Sequence, residues 1–268
     1  VYPPDQQGFR LSLAETGGGG AGLMAPLLSG VLIGWIGLTE TMLIFAAVPL
    51  VLAAWALTMP ETSRHVPGGP SMLRALWGLM RQPGARAGAI ALVLLAIVEG
   101  MVESLLPLDL TARLMLGTAA VGLVASVGMA TLFLGAPVGG RWSDRAGRRL
   151  PIVVGGVAAA VLLPFIAIGP TWWVATCLAL AMLATAIMAA PAGPLFTHAV
   201  DEMGLAGSYG LSAGAMVTVF AVGFVLGPVV GAALSAVLPF VGVCIAVSVI
   251  VLAGIAVIAR LLARPATA

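Results

Sequence analysis

Long apolar runs separated by short polar knots set the pattern of this chain. Eight such runs lie at about 11–36, 40–59, 87–106, 117–140, 151–169, 171–192, 208–235 and 239–262. Each is near or above the ~20 residues a helix needs to cross ~30 Å of hydrocarbon. They far exceed the ~9–11 residues of a barrel strand, and period-two alternation is scarce, so the pattern predicts helices. The expected fold is an all-α polytopic membrane protein with eight transmembrane helices. Residues 60–86 read as a polar linker around Pro67-Gly68-Gly69-Pro70. Within it Met72, Leu73, Leu76, Trp77 and Met80 share one helical face and Arg74 and Arg81 the other. That spacing suits a helix lying at the membrane surface, or equally a solvated linker helix.

Composition strengthens the membrane reading. Only 8% of residues are charged and 61% are hydrophobic, against ~25% and ~45–50% in a soluble domain. Too few charges remain to cover a surface facing water. The net charge of +2 comes with no lysine at all, and it is too small and scattered to point to nucleic acid. Arginine placement gives an orientation. With eight spans, Arg10, Arg64, Arg74, Arg81, Arg86, Arg141, Arg145, Arg148, Arg149, Arg260 and Arg264 all fall on one side, which must be the cytoplasm, and only Arg113 falls on the other. The two cysteines, Cys177 and Cys244, lie in apolar runs and read as small core residues rather than a disulfide. No metal-type spacing of Cys and His exists, and no cofactor is expected. The chain opens on Val1 and Pro3-Pro4-Asp5-Gln6-Gln7, like the tail of a loop, so a piece of a longer protein is expected.

Two patterns stand out against this background. Gly140-Arg141-Trp142-Ser143-Asp144-Arg145-Ala146-Gly147-Arg148-Arg149 gathers four arginines and an aspartate between two spans. The other recurs 202 positions apart: Ala21-x-x-x-Ala25-Pro26-x-x-Ser29-Gly30 in the first span and Gly223-x-x-x-Gly227-Pro228-x-x-Gly231-Ala232 in the seventh. Small residues at four-residue spacing make a flat helix face for close packing, and the proline bends the helix there.

Here the chain resembles the major facilitator superfamily. The knot is similar to that family's cytoplasmic loop signature, G-x-x-x-D-R-x-G-R-R, with Gly140, Asp144, Arg145, Gly147, Arg148 and Arg149 filling every fixed position. The helix pattern resembles the family's antiporter signature, G-x-x-x-G-P-x-x-G-G. The seventh-span copy departs only at Ala232, the first-span copy at Ala21, Ala25 and Ser29. The resemblance implies that residues 1–59 are the last two helices of an N-terminal half and 60–86 the central cytoplasmic loop. Residues 87–268 would be a complete six-helix C-terminal half, and the first four helices of the same transporter would be missing. It further implies two halves around a midplane site that work by alternating access. Asp144 and its arginines would then form a gate, a charge-assisted cluster that latches helix ends in one state and releases them in the other. Arginines that only anchor to lipid and fix topology are the plainer alternative.

Glu99 and Glu103 lie in the outer half of the expected third span. Four residues apart, they share one face of the helix. A carboxylate in hydrocarbon is costly and normally faces a cavity or a partner, which makes both candidates for proton coupling or substrate contact. Solvation near the outer interface is the alternative, and Asp109 and Arg113 are expected to pair in the outer loop. Glu15 reads as a solvated or salt-bridged group near the inner end of the first span, and His65 and His198 as cytoplasmic loop residues. Gly210-Leu211-Ser212-Ala213-Gly214 fits G-x-S-x-G, but a nucleophile elbow needs a strand, a turn and a helix. Gly17-x-Gly19-x-x-Gly22 fits a dinucleotide fingerprint but follows no strand.

The expected function is secondary active transport by a non-enzyme in a bacterial-type inner membrane, with the Arg-rich loops and C-terminus cytoplasmic. The antiporter pattern tilts it toward proton-coupled efflux of small amphipathic compounds. The expected partners are a small-molecule substrate, the proton and the lipid bilayer, with no nucleic acid. A sugar or metabolite uptake symporter, a membrane enzyme using Ser212, and a non-transporting scaffold are the alternatives.

Overall fold

The computed structural model describes residues 24–58, 77–204 and 209–263. The described residues are helical and contain no strand. Seven helical stretches are long and apolar enough to cross a membrane: Leu38–Ala56, Pro83–Leu114, Thr118–Ala146, Arg149–Ala167, Thr171–Glu202, Ser212–Ser235 and Phe240–Leu261. A shorter apolar helix, Met24–Ile36, precedes them. It occupies the end of the first expected span, whose earlier part lies outside the described residues, as do Glu15, His65 and the glycines at 17–22.

We number the helices α1 (Met24–Ile36), α2 (Leu38–Ala56), α3 (Pro83–Leu114), α4 (Thr118–Ala146), α5 (Arg149–Leu162), α6 (Thr171–Ala189), α7 (Ala192–Glu202), α8 (Tyr209–Ser235) and α9 (Phe240–Leu261). Their ends follow local chemistry. Pro83 opens α3, where its missing N–H costs nothing. Gly147, at φ +80°, stops α4 in a conformation that favours glycine. Pro170 and Pro239 stand just before α6 and α9.

Several boundaries differ from the sequence expectation. The third span does not end near 106: α3 continues through Pro107 to Leu114. A proline inside a membrane helix is tolerated, although Pro107 leaves the Glu103 carbonyl without its helical donor; beyond it the Thr111 hydroxyl adds a bond to the Pro107 carbonyl. Asp109 and Arg113 are therefore helical rather than in an outer loop. The fourth span runs past 140, so Gly140, Asp144 and Arg145 stand on the last two turns of α4 and only Gly147 and Arg148 leave the helix. The fifth span tightens into a 3-10 turn, Leu163–Ala167, at Pro164. The sixth breaks at Ala190-Pro191 and resumes as α7, which makes His198 helical and pairs it with Glu202 at 3.2 Å.

The described residues fall into two units, one within 1–71 and 116–126, the other within 72–115 and 127–268. In the first, α1 crosses the start of α4 at close range. A Cβ on Gly30 would stand 2.6 Å from the Thr118 carbonyl oxygen. Gly122 lies against the Pro26 carbonyl, which also accepts from the Ser29 hydroxyl at 3.1 Å.

In the second unit α3 is the hub, touching α6, α7, α8 and α9. Leu79, Phe196 and Met101 are fully buried in its core. The remainder of α4 lies on α6 through Gly128, Gly135 and Gly139, which share one helix face. Just before α3, Leu79 docks among Ala85, Phe196, Ala199 and Val200, while Trp77 is 68% exposed and Met80 only partly buried. Of the apolar face expected here, Met72, Leu73 and Leu76 lie outside the described residues, Met80 packs against the core beside Leu79, and Trp77 stays out of it.

Candidate functional site

The glycines of the 223–232 pattern form one edge of the hub. Gly223, Gly227 and Gly231 are buried along α8, a helix otherwise mostly exposed. A Cβ on Gly223 would meet the Val93 carbonyl oxygen at 2.7 Å, and one on Gly227 the Ile97 carbonyl oxygen at 2.6 Å. The two backbones therefore touch, which only small residues permit. Pro228 completes the seam from the other side. Lacking an N–H, it leaves the Phe224 carbonyl without its helical donor. Gly100 covers that carbonyl: a Cβ there would stand 2.7 Å from the Phe224 oxygen and 2.9 Å from the Pro228 ring. Sequence reasoning passed over Gly100. Its signal was a single glycine beside Glu99 in an apolar run, the mark of a close backbone approach.

Glu99 follows from the same placement. It stands at the middle of α3, since that helix is 32 residues long, about 48 Å at about 1.5 Å per residue. An outer-half position is expected of a span ending near 106; α3 runs on to Leu114, which puts Glu99 at the midpoint of the helix itself. Glu99 is 9% exposed. Neither ion pair among the described residues involves it. Glu103, one turn further along the same face, is exposed. Both carboxyls lie on a helix long and apolar enough to cross a membrane. The structure thus brings Glu99 and the glycine-proline pattern, read separately in the sequence, onto one helix pair. Pro26, Ala25 and Gly30 belong to the other unit and to the α1–α4 contact.

The turn at 140–149 is built differently from a closed latch. Ser143 is buried, whereas Asp144, Arg145, Gly147 and Arg149 are exposed and Arg148 is half-buried. Among the described residues Asp144 forms no ion pair with its neighbouring arginines.

A family model described as Major Facilitator Superfamily matches residues 88–268. The chain belongs to the major facilitator superfamily. Comparison with curated proteins returned no match. The superfamily is one of secondary transporters, not of enzymes, and with its apolar helices this chain is an integral membrane protein. The resemblance drawn from the loop and helix patterns is borne out at the level of the superfamily.

Two further placements refine this major facilitator fold. Ser212 is buried inside the first turn of α8, and no strand occurs among the described residues, so the G-x-S-x-G match has no elbow to stand on. Arg113 does more than pair with Asp109. Its Nε and Nη2 donate to Asp109 Oδ2 at 2.9 and 2.8 Å, and its Nη1 donates to the Gly169 carbonyl oxygen at 2.8 Å. It therefore ties the end of α3 to the turn before α6, where Gly169 takes φ +80°. Arg113→Gln should lower stability by about 1–2 kcal/mol, the scale of a charge-assisted hydrogen bond. Thermal unfolding in detergent checks it, and an Arg113→Gln protein as stable as wild type would show that the tie contributes nothing; a double-mutant cycle with Asp109→Asn separates the Asp109 pairing from the bond to Gly169.

Proposed function

We propose that this chain belongs to a proton-coupled efflux transporter for small amphipathic compounds, working by alternating access in a bacterial-type inner membrane. Residues 1–59 serve as the end of an N-terminal half, 60–86 as the cytoplasmic linker and 87–268 as the C-terminal half. The observation that carries the reading is Glu99, a buried carboxyl at the midpoint of the membrane-length hub helix of a chain from a secondary-transporter family. A group in that position is expensive to keep charged and without an ion-pair partner, which suits one that takes up and gives back a proton in each cycle. Glu103, exposed at similar depth, marks the side from which water or substrate reaches it. The buried seam of Gly223, Gly227, Pro228 and Gly231 keeps α3 and α8 moving as one body, so that protonation on one helix shifts both.

The turn at 140–149 serves as the cytoplasmic gate. Gly140 and Gly147 shape it, Asp144 accepts hydrogen bonds when it closes, and Arg145, Arg148 and Arg149 supply donors. Asp144→Asn should reduce transport to background while membrane insertion stays normal, as judged by yield in the membrane fraction. Transport of a dye panel, driven by an imposed proton gradient in cells producing the intact gene product, tests the whole reading. Gradient-dependent dye extrusion supports efflux. Gradient-dependent accumulation of sugars or metabolites would replace it with uptake, and the absence of any transport would favour a scaffold.

A further inference from the structure

Arg81 and Arg86 stand at the entrance to α3 in an arrangement that the transport reading does not use. Arg86 folds back so that its Nη2 donates to the Arg81 carbonyl oxygen at 3.2 Å, which holds its guanidinium against the Arg81 backbone. Both side chains are exposed, and neither has an ion-pair partner among the described residues. Two exposed cations five residues apart, with no carboxylate paired to either among the described residues, leave their charge to be met by an outside anion. The segment is not free to swing the charges apart. Leu79 is fully buried against Phe196 and Val200, and a Cβ on Gly78 would stand 2.8 Å from the Met203 methyl. Turn bonds from the Arg81 N–H to the Gly78 carbonyl and from the Gln82 N–H to the Leu79 carbonyl hold the backbone between these anchors. Four residues before Arg81, Trp77 is 68% exposed. An indole with an apolar body and one N–H donor is the side chain that settles at headgroup level.

We propose that Trp77, Arg81 and Arg86 form a docking site for the phosphate of an anionic phospholipid. The site lies at one end of a membrane-spanning helix, the depth at which headgroup phosphates lie. The two guanidiniums offer bidentate hydrogen bonds to phosphate oxygens, and Trp77 packs on the glycerol and upper acyl region. The lipid thereby pins the start of α3, the helix that carries Glu99.

The test is photo-crosslinking of the full-length protein in detergent micelles with phosphatidylglycerol carrying a headgroup diazirine, mapped by mass spectrometry to residues 77–86. Wild-type protein should crosslink saturably there, and an equivalent phosphatidylcholine probe should not. Arg81→Gln should raise the half-saturating concentration about fivefold, and the Arg81→Gln/Arg86→Gln pair about thirtyfold, at about 1 kcal/mol per arginine near an anionic headgroup. Arg81→Lys/Arg86→Lys keeps the charge and should retain most of the labelling, which separates loss of charge from loss of fold. Equal labelling by both lipids, unchanged labelling of the Gln pair, or a Lys pair as weak as the Gln pair would each overturn the proposal. So would displacement of the probe by millimolar inorganic phosphate, which would make this a site for a soluble anion instead.

Discussion

Glu99→Gln should abolish proton-driven transport while leaving the protein folded. Glutamine has nearly the shape of the protonated acid but cannot release a proton. The substituted transporter therefore keeps its packing at a position that is 9% exposed and loses only the coupling step. Proton transfer by a positioned side chain contributes factors of about 10²–10⁴, so a fall of at least about a hundredfold in gradient-driven rate is expected. Exchange of substrate across a membrane without a gradient needs no net proton movement and should survive. The thermal midpoint should hold or rise, because a buried carboxyl is exchanged for a neutral amide. Normal gradient-driven transport by Glu99→Gln would remove this residue from the mechanism. Glu103→Gln, at the exposed position one turn away, should weaken transport far less.

The second large effect is expected at the α3–α8 seam. Gly227→Val places its first added carbon 2.6 Å from the Ile97 carbonyl oxygen and 2.9 Å from the Met101 amide nitrogen. Both are backbone atoms of a neighbouring helix and cannot turn aside as a side chain could. Overpacking of this kind typically costs about 1–3 kcal/mol, and a clash of backbone against β-branched side chain belongs at the upper end. Separating the helices would also uncover the Phe224 carbonyl that Gly100 shields, and lipid offers it no hydrogen-bond donor. Gly231→Ala is the graded comparison: its added carbon would meet Leu105 Cδ1 at 2.9 Å and Met101 Cγ at 3.3 Å. Those side chains can give way, so a loss of about 1 kcal/mol or less is expected. Gly117→Ala, with nothing within 4 Å, should show no packing penalty and lose only the small capping preference for glycine before α4. Unfolding of purified protein in detergent ranks the three, and a Gly227→Val protein as stable as wild type would contradict the packing account.

The candidate site was legible in pieces. Glu99 and Glu103 showed themselves as acids in an apolar run, and the glycine-proline pattern showed itself by spacing. The sequence held no sign that the two belonged to one helix pair, because that pairing joins residues more than a hundred positions apart. Gly100 went unnoticed for the same reason: its value lies in Phe224 and Pro228, which face it from another helix. The knot at 140–149 was legible as a motif but not as a geometry. Runs of apolar residues mark where hydrocarbon ends, not where a helix ends, and α4 carries its charges two turns beyond the apolar stretch. Pro107 misled in the same way, since it closes an apolar run without closing the helix.

The sequence by itself determined that this chain is helical, lies in a membrane and carries the signatures of its superfamily. Those properties depend on run length, composition and local spacing, all of which are one-dimensional. A run of about twenty apolar residues has few alternatives to a spanning helix, because lipid leaves every backbone polar group to be satisfied within the segment. Only the tertiary structure decided which glycines face which carbonyls, that Arg113 reaches Gly169, that Leu79 rather than Trp77 enters the core, and that Glu99 is buried at the middle of α3. These are contacts between distant stretches of chain. In lipid they are chosen by shape and by hydrogen bonding between helices, since an apolar face is as well satisfied by acyl chains as by another helix.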